Sequence, residues 1–390
     1  MDHPRQFWKK NLLITSYSSE MRIGINTRSL IGQKLEGFGN YTLELVQRIT
    51  KLNPEHTFIL YFDRTVDAQF NFGPNVVCKV VSPPTRHPFL YIIWFEWSLK
   101  RQIKKDHLDI FWSPDGMFPI GLTIPTLSTI HDLNFEHYPK DLPFWISWYY
   151  RKYFPVFASK ASHIITVSNT TKADIISQYN VIESKITVIY NGINASYKPL
   201  DSRQKIQICE QQGLVKPYFL FVGSLHPRKN IHRLLEAFSI YAKSDDTFDL
   251  VIVGSTMWRG QAIEIDPNCA DRIHLKGHLS RDILAKIMGA ASAFVYVPYF
   301  EGFGMPLAEA MATHTPIIAG NQSCLPEIAA DAALYVDPFD VDSIVKGMNK
   351  MKNDVALQAQ LVNAGKVRMA DFNWDQAAYK IWQEIEKLVS

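Results

Sequence analysis

The chain has 390 residues with 41 Lys and Arg against 38 Asp and Glu, enough length for two domains that each bury a core, and no nucleic-acid partner is expected. No run of 18 apolar residues occurs, which excludes a conventional spanning helix; Cys78, Cys209, Cys269 and Cys324 lack the spacing of a zinc site or a disulfide framework, so a reducing cytoplasm fits. Residues 1–200 carry 22 Lys and Arg against 16 Asp and Glu (+6), leaving 19 against 22 (−3) for the rest, so either an anionic partner or a solvated basic face belongs to the first half.

Residues 1–20 read as an N-terminal extension, because Leu12-Leu-Ile is too short for a secretory apolar core. From Met21 onward, short apolar runs alternate with helix-period segments, as in parallel sheets covered by helices. Strands are predicted at residues 22–26, 57–62, 76–80, 110–112, 126–130, 164–167 and 185–189, with helices at 41–50 and 173–179 between them. Aromatic residues crowd at 89–97 and 144–157 beside Lys100, Arg101, Lys104, Lys105, Arg151 and Lys152. That pattern suits either helices packed by their aromatic faces or a headgroup-facing surface with peripheral membrane contact. Residues 191–199 combine turn formers and a proline without periodicity, the best interdomain linker.

A second strand set then follows at 218–222, 250–253, 273–275, 293–297, 316–319 and 334–336. Ile231, Leu234, Leu235 and Phe238 share one face of a helix expected to be capped by Asn230. Domains are therefore expected at 21–195 and 196–372, with a last helix at 373–390.

The most informative segment is Glu301-Gly-Phe-Gly-Met-Pro-Leu-Ala-Glu309. Gly302 and Gly304 permit close approach of the main chain, and Pro306 suits the first helical position, which would put Glu309 in the first turn. The backbone N–H groups of such a helix, at its positive dipole end, donate to phosphate oxygens, and carboxylates accept bonds from vicinal hydroxyls. A strand-turn-helix connection with Glu309 as a cap is the structural alternative. Arg228 and Lys229 stand before another helix, where two cations can face one diphosphate.

This segment resembles the Glu-x7-Glu signature of retaining glycosyltransferases of GT-B architecture, family 4. Six further stretches match in order: Met21-Arg-Ile-Gly-Ile-Asn26 with Gly37-Phe-Gly39, Thr129-Ile-His131-Asp132-Leu133, Ile165-Thr-Val-Ser168, Tyr190-Asn-Gly192, Phe221-Val-Gly-Ser-Leu-His-Pro-Arg228-Lys229-Asn230 and Ser323-Cys-Leu-Pro-Glu327. The Pro-Arg-Lys-Asn form, with Ala332-Ala-Leu-Tyr-Val-Asp-Pro338, is most similar to mannosyltransferases that build bacterial surface polysaccharides.

The resemblance implies an α/β GT-B fold, two Rossmann-like domains facing a central cleft, residues 21–195 binding the acceptor and 196–372 the nucleotide sugar, with the last helix, 373–390, returning to the first domain. It implies His131, Arg228, Lys229 and Glu301 as catalytic residues. A nucleotide-sugar donor would be held by these cations and Glu301 together with Gly37, Gly39, Gly223, Gly302, Phe303, Gly304, Met305, Pro306, Leu307 and Glu309. Glu301 would meet the transferred sugar, Glu309 the ribose, and His131 would lie against the donor sugar.

GDP-mannose is the preferred donor, with UDP-glucose, UDP-galactose or UDP-N-acetylglucosamine as alternatives. The acceptor is a lipid-linked glycan or lipopolysaccharide precursor, or else sucrose or another soluble acceptor. No cofactor and no obligatory metal are expected, and Asp340-Val-Asp342 reads as a helix cap rather than a metal motif. Two rivals remain: a nicotinamide-dependent oxidoreductase, suggested by the glycine pair and Asp63 but lacking the third glycine at Thr42, and a non-catalytic sugar-binding protein.

Overall fold

A computed structural model describes residues 20–32, 35, 37–254 and 265–390; residues 1–19, which hold nearly all of the expected N-terminal extension, lie outside the described residues. β1 (Arg22–Asn26), β2 (Thr57–Phe62), β3 (Val76–Val80), β4 (Ile110–Ser113), β5 (Thr126–Ile130), β6 (His163–Thr166) and β7 (Ile186–Val188) form one sheet in the order β3-β2-β1-β4-β5-β6-β7. A second sheet holds β8 (Tyr218–Val222), β9 (Asp249–Val253), β10 (Ile273–Gly277), β11 (Ala293–Tyr296), β12 (Ile317–Gly320) and β13 (Ala333–Val336), ordered β10-β9-β8-β11-β12-β13.

Every pairing is parallel. Helices cover both faces of such sheets, which is why β4, β5, β8, β9, β11 and β12 are buried along their whole length and, β5 with its Thr126, Ser128 and Thr129 apart, are largely apolar. In each sheet the strand order reverses once, between β1 and β4 and between β8 and β11. Crevices beyond the carboxyl ends of the strands at those reversals are where such sheets bind ligands. The fold is therefore the two-domain Rossmann-like arrangement expected.

Six helices bear on the crevices and on the junction between the sheets: α1 (Gly37–Leu52), α2 (Phe144–Lys160), α3 (Asn169–Tyr179), α4 (Ile231–Ser244), α5 (Met305–Ala312) and α6 (Trp374–Val389). On α4, Ile231, Leu234, Leu235 and Phe238 are buried together, as their spacing predicts. Asn230 is a correction. It adopts a left-handed conformation, and its amide crosses to the carbonyls of Val297 (3.0 Å) and Pro338 (2.6 Å), tying the helix start to two strand ends instead of capping it.

α6 packs against α1, β4 and β6 of the first sheet, burying Trp374, Ile381, Trp382 and Ile385. Trp382 stacks on His56 with 5.1 Å between ring centroids, and Asp375 pairs with Arg48 at 2.8 Å. The chain thus crosses between the sheets twice, and the crossings touch: a Cβ on Gly192 would stand 2.1 Å from the backbone N of Trp374. Among the described residues no helix is long and apolar enough to cross a membrane.

Gly192→Ala must push this contact apart. It is expected to cost about 1–3 kcal/mol of stability, as overpacked sites do, read as a lower urea midpoint with an unchanged slope.

Candidate active site between the two sheets

At the second sheet's reversal the chain leaves β8 through Gly223 and enters a single 3-10 turn, Pro227–Lys229. Buried His226 closes this turn by accepting the Arg228 N–H on Nδ1 at 3.3 Å. Both cations then meet the loop after β11. Arg228 Nη1 lies 3.0 Å from Glu301 Oε1, and Lys229 forms a close ion pair with the same oxygen while donating to the Tyr296 hydroxyl at 2.7 Å. Lys229 is 8% exposed and Glu301 7%.

Burial alone would raise the Glu301 pKa, but Arg228 and Lys229 reverse the effect and hold it below the usual carboxylate range. Burial lowers the Lys229 pKa, with Glu301 opposing and Arg228 reinforcing that shift. For Arg228, burial is outweighed by the carboxylates of Glu301 and Asp132, which keep the guanidinium charged. Both cations are in direct contact with the same Glu301 oxygen, and Asp132 acts on them as a further carboxylate.

The next residue makes the interdomain contact. A Cβ on Gly302 would sit 2.0 Å from the His131 carbonyl oxygen, so only glycine lets these main chains touch. Gly304, at φ 77°, starts α5 at Met305, one residue earlier than expected, and Pro306 takes the second position. Glu309 consequently lies in the second turn, not the first. There it bonds to the Tyr197 hydroxyl and faces Arg281; burial outweighs both and pushes its pKa up to about 7.

Glu301 and Glu309 share no partner, an arrangement unlike the two carboxylates that flank one scissile bond in a glycosidase. Leu307 is also a correction: its side chain is fully buried and its N–H is bonded to Gly304 O at 2.9 Å, leaving nothing to offer a ligand. The Phe303 ring likewise turns inward, packing near Tyr190 and Phe372.

In the first sheet's crevice, His131 follows β5, and its Nε2 lies 2.7 Å from Pro114 O. A carbonyl can only accept, so that nitrogen carries the proton, and burial lowers the ring's pKa enough to favour the neutral form. Phe38 packs 4.7 Å from the imidazole, and Phe38 and Gly39, in the first turn of α1, border with His131 one cavity of about 500 Å³; Gly37 does not line it. Gly39 is needed there, since a Cβ would come within 2.8 Å of Ser29 O.

Sequence reasoning missed Arg28 and Asp115, which form a 2.7 Å ion pair at this reversal. Their signal was positional: each stands two residues past the end of β1 or β4. Asp63 is no ribose acceptor, because its oxygens are taken by Arg64 (2.6 and 2.7 Å) and by the N–H (2.7 Å) and hydroxyl of Thr85.

Comparison with known proteins agrees with this geometry. Residues 35–197 match the family described as Glycosyltransferase Family 4, and residues 204–368 match Glycosyl transferases group 1. The chain belongs to the family 4 glycosyltransferases. This glycosyltransferase is 26% identical to O-antigen chain mannosyltransferase B of Escherichia coli over 89% of its own length and 96% of that protein's. It is 29% identical to O-antigen chain mannosyltransferase RfbU of Salmonella typhimurium, covering 81% and 87% respectively. These relatives make it an enzyme of polysaccharide biosynthesis. Its fold matches Anabaena HepE, solved with UDP-glucose, with a TM-score of 0.73, 15% identity and coverage of 94% and 100%.

Beyond Gly302, the glycosyltransferase joins its lobes through a carboxylate whose motif was legible but whose role was not. Glu327 reaches the open N-terminus of α3, accepting from the N–H groups of Asn169 (2.6 Å) and Thr170 (2.9 Å) and from the Tyr190 hydroxyl (3.0 Å). Burial would raise its pKa, but those N–H donors hold it below the ordinary value. Ser168 and Thr171 on the same helix end donate to Gly302 O (2.7 Å) and His131 O (3.1 Å).

Placing a methyl group between these surfaces should misalign them. Gly302→Ala is expected to lower turnover about 10²-fold, the cost typical of a displacement near 1 Å, and to raise the radius of gyration in solution scattering. An unchanged radius with full turnover would show that the contact does not set the lobe spacing.

Proposed function

We propose that the enzyme moves mannose from GDP-mannose, with retention of configuration, to a hydroxyl of a lipid-linked glycan or lipopolysaccharide precursor. The observation that carries the donor assignment is the cluster of Arg228, Lys229 and Glu301 at the second sheet's reversal, where both cations meet one Glu301 oxygen. A diphosphate gains negative charge as its bond to the sugar breaks, and fixed cations stabilise that change where it occurs. Glu301, ionised and anchored by both cations, would accept hydrogen bonds from the sugar's hydroxyls as the sugar separates from the phosphate. Glu309 meets the ribose.

Neutral His131 lies across the lobe contact from Gly302 and borders the sugar without adding a second cation beside an electron-poor anomeric carbon. Attack on the same face as departure then needs no enzyme nucleophile, and the leaving phosphate takes the acceptor proton. The preference for mannose follows the names of the relatives from Escherichia coli and Salmonella; the HepE complex keeps a UDP-sugar donor as the second reading.

No obligatory divalent metal is proposed, because Arg228 and Lys229 supply the charge that a diphosphate requires. Asp340, in the Asp-x-Asp sequence, instead accepts the Asp342 N–H at 3.0 Å as a helix cap. Membrane contact is assigned to the exposed aromatics of the first lobe. Trp94, Phe95, Tyr149 and Phe157 fill the core, whereas Trp97 (73% exposed), three residues before Lys100, and Phe144 (70%) and Phe89 (50%), both beside Trp145, face outward.

Thermal-shift measurements against GDP, UDP and their sugars should show GDP compounds raising the melting temperature most, and hexose transfer should persist in excess chelator. A preference for UDP would transfer the donor assignment to the second reading, and metal-reversible loss would end the metal-free one. Lys229→Ala is expected to lower turnover by about 10²- to 10³-fold and to weaken nucleoside-diphosphate binding. Near-normal values of both would refute its role.

A further inference from the structure

The two cations of the second lobe's crevice are held differently. Lys229 is gripped from within that lobe, by Tyr296 and Glu301, whereas the further partners of Arg228 are residues that also touch the first lobe. The Arg228 main chain is fixed on both sides: its N–H donates to His226 Nδ1 at 3.3 Å, and its carbonyl accepts the Tyr299 N–H at 3.1 Å. Its Nη1 donates to the Phe300 carbonyl at 3.2 Å.

These three partners all reach one short stretch of the first lobe, residues 137–141, which ends in the 3-10 turn Pro139–Asp141 between β5 and α2. The Tyr299 hydroxyl donates to the Asp141 carboxylate, and its ring packs 4.6 Å from that of Tyr138. The Phe300 ring lies 5.0 Å from His137. His226 is 4% exposed, and because its Nδ1 accepts, the proton sits on Nε2, which donates to the backbone carbonyl of Asp141. Burial and then Arg228 lower the ring's pKa, with Asp141 opposing them and Lys229 adding to them, so the ring is neutral. A protonated ring would lose the acceptor that holds the Arg228 N–H and would set a third cation beside Arg228 and Lys229. Asp141 therefore receives both residues that fix the Arg228 main chain, His226 on its carbonyl and Tyr299 on its carboxylate.

We propose that Asp141 is a positioning residue which, through His226 and Tyr299, sets the main chain of Arg228, so that this cation takes its working place only when the lobes meet. Asp141 acts on the donor through these two residues alone. A nucleoside diphosphate by itself is met by the second lobe, whereas transfer needs both lobes together, so the contact bears on turnover more than on nucleotide binding. The assignment rests on the donor role proposed for Arg228 and deepens it.

Nucleotide release from GDP-mannose or UDP-glucose by the full chain reads turnover, and calorimetry with GDP or UDP reads the grip, the pair being chosen by which nucleotide raises the melting temperature. Asp141→Ala and Tyr299→Phe should each lower kcat about fivefold, the effect of one lost hydrogen bond, with the nucleotide Kd held within about twofold. The double variant should be no slower than either single one, because both remove the same bond. His226→Asn keeps an acceptor for the N–H two residues on but is too short to reach Asp141, so it should also lower kcat about fivefold at unchanged Kd, whereas His226→Ala should weaken the nucleotide as well. Full turnover in Asp141→Ala and Tyr299→Phe, losses that multiply in the double variant, or a Kd weakened as much as kcat falls in His226→Asn would each overturn the cross-lobe assignment while nucleotide binding stands. Failure of both GDP and UDP to bind would instead remove the donor site beneath it.

Discussion

Two cations share one buried carboxylate at the edge of the second sheet, and the rest of the molecule is arranged around that contact. Charges withdrawn from water are costly unless paired, and here both cations draw on a single Glu301 oxygen, with Asp132 acting on them as a further carboxylate. Tyr296 and the Phe300 carbonyl, 3.2 Å from Arg228, add hydrogen bonds but bring no negative charge. β8 and β11 are neighbours at the strand reversal, so the connections that follow them bring these groups to the same place.

The first lobe solves a different problem with the same topology. Its reversal also collects charged residues, yet each arginine there has an acid of its own. In one crevice two cations share a single Glu301 oxygen, in the other each arginine has its own acid, and the two lobes meet where Gly302 touches His131. Counting charge along the chain hid this, since the excess of Lys and Arg in the first 200 residues says nothing about which of them are paired.

Much of the architecture was legible in short β-forming segments alternating with helix-period ones; the predicted limits of β1, β2, β3, β5 and β8 coincide with the observed ones, and of these β2 and β8 are the near-continuous apolar runs that burial on both faces leaves. Short motifs located Arg228, Lys229 and Glu301, although their mutual pairing is a tertiary fact. Local rules failed where the tertiary structure claimed a residue for something else. Asn230 bonds two strand ends instead of its helix, and Gly304 adopts a left-handed turn that starts α5 early and carries Glu309 into the second turn. Glu327 could not be assigned from sequence, since its partners are backbone N–H groups more than 150 positions away.

The touching crossings at Gly192 and Trp374 have a mechanical meaning. Two strands of chain passing through one spot behave as a pivot, so the halves can swing about it but cannot slide apart. A rotation about it would part Glu327 from α3 and Gly302 from Ser168 and His131, the contacts that hold the lobes together away from the axis.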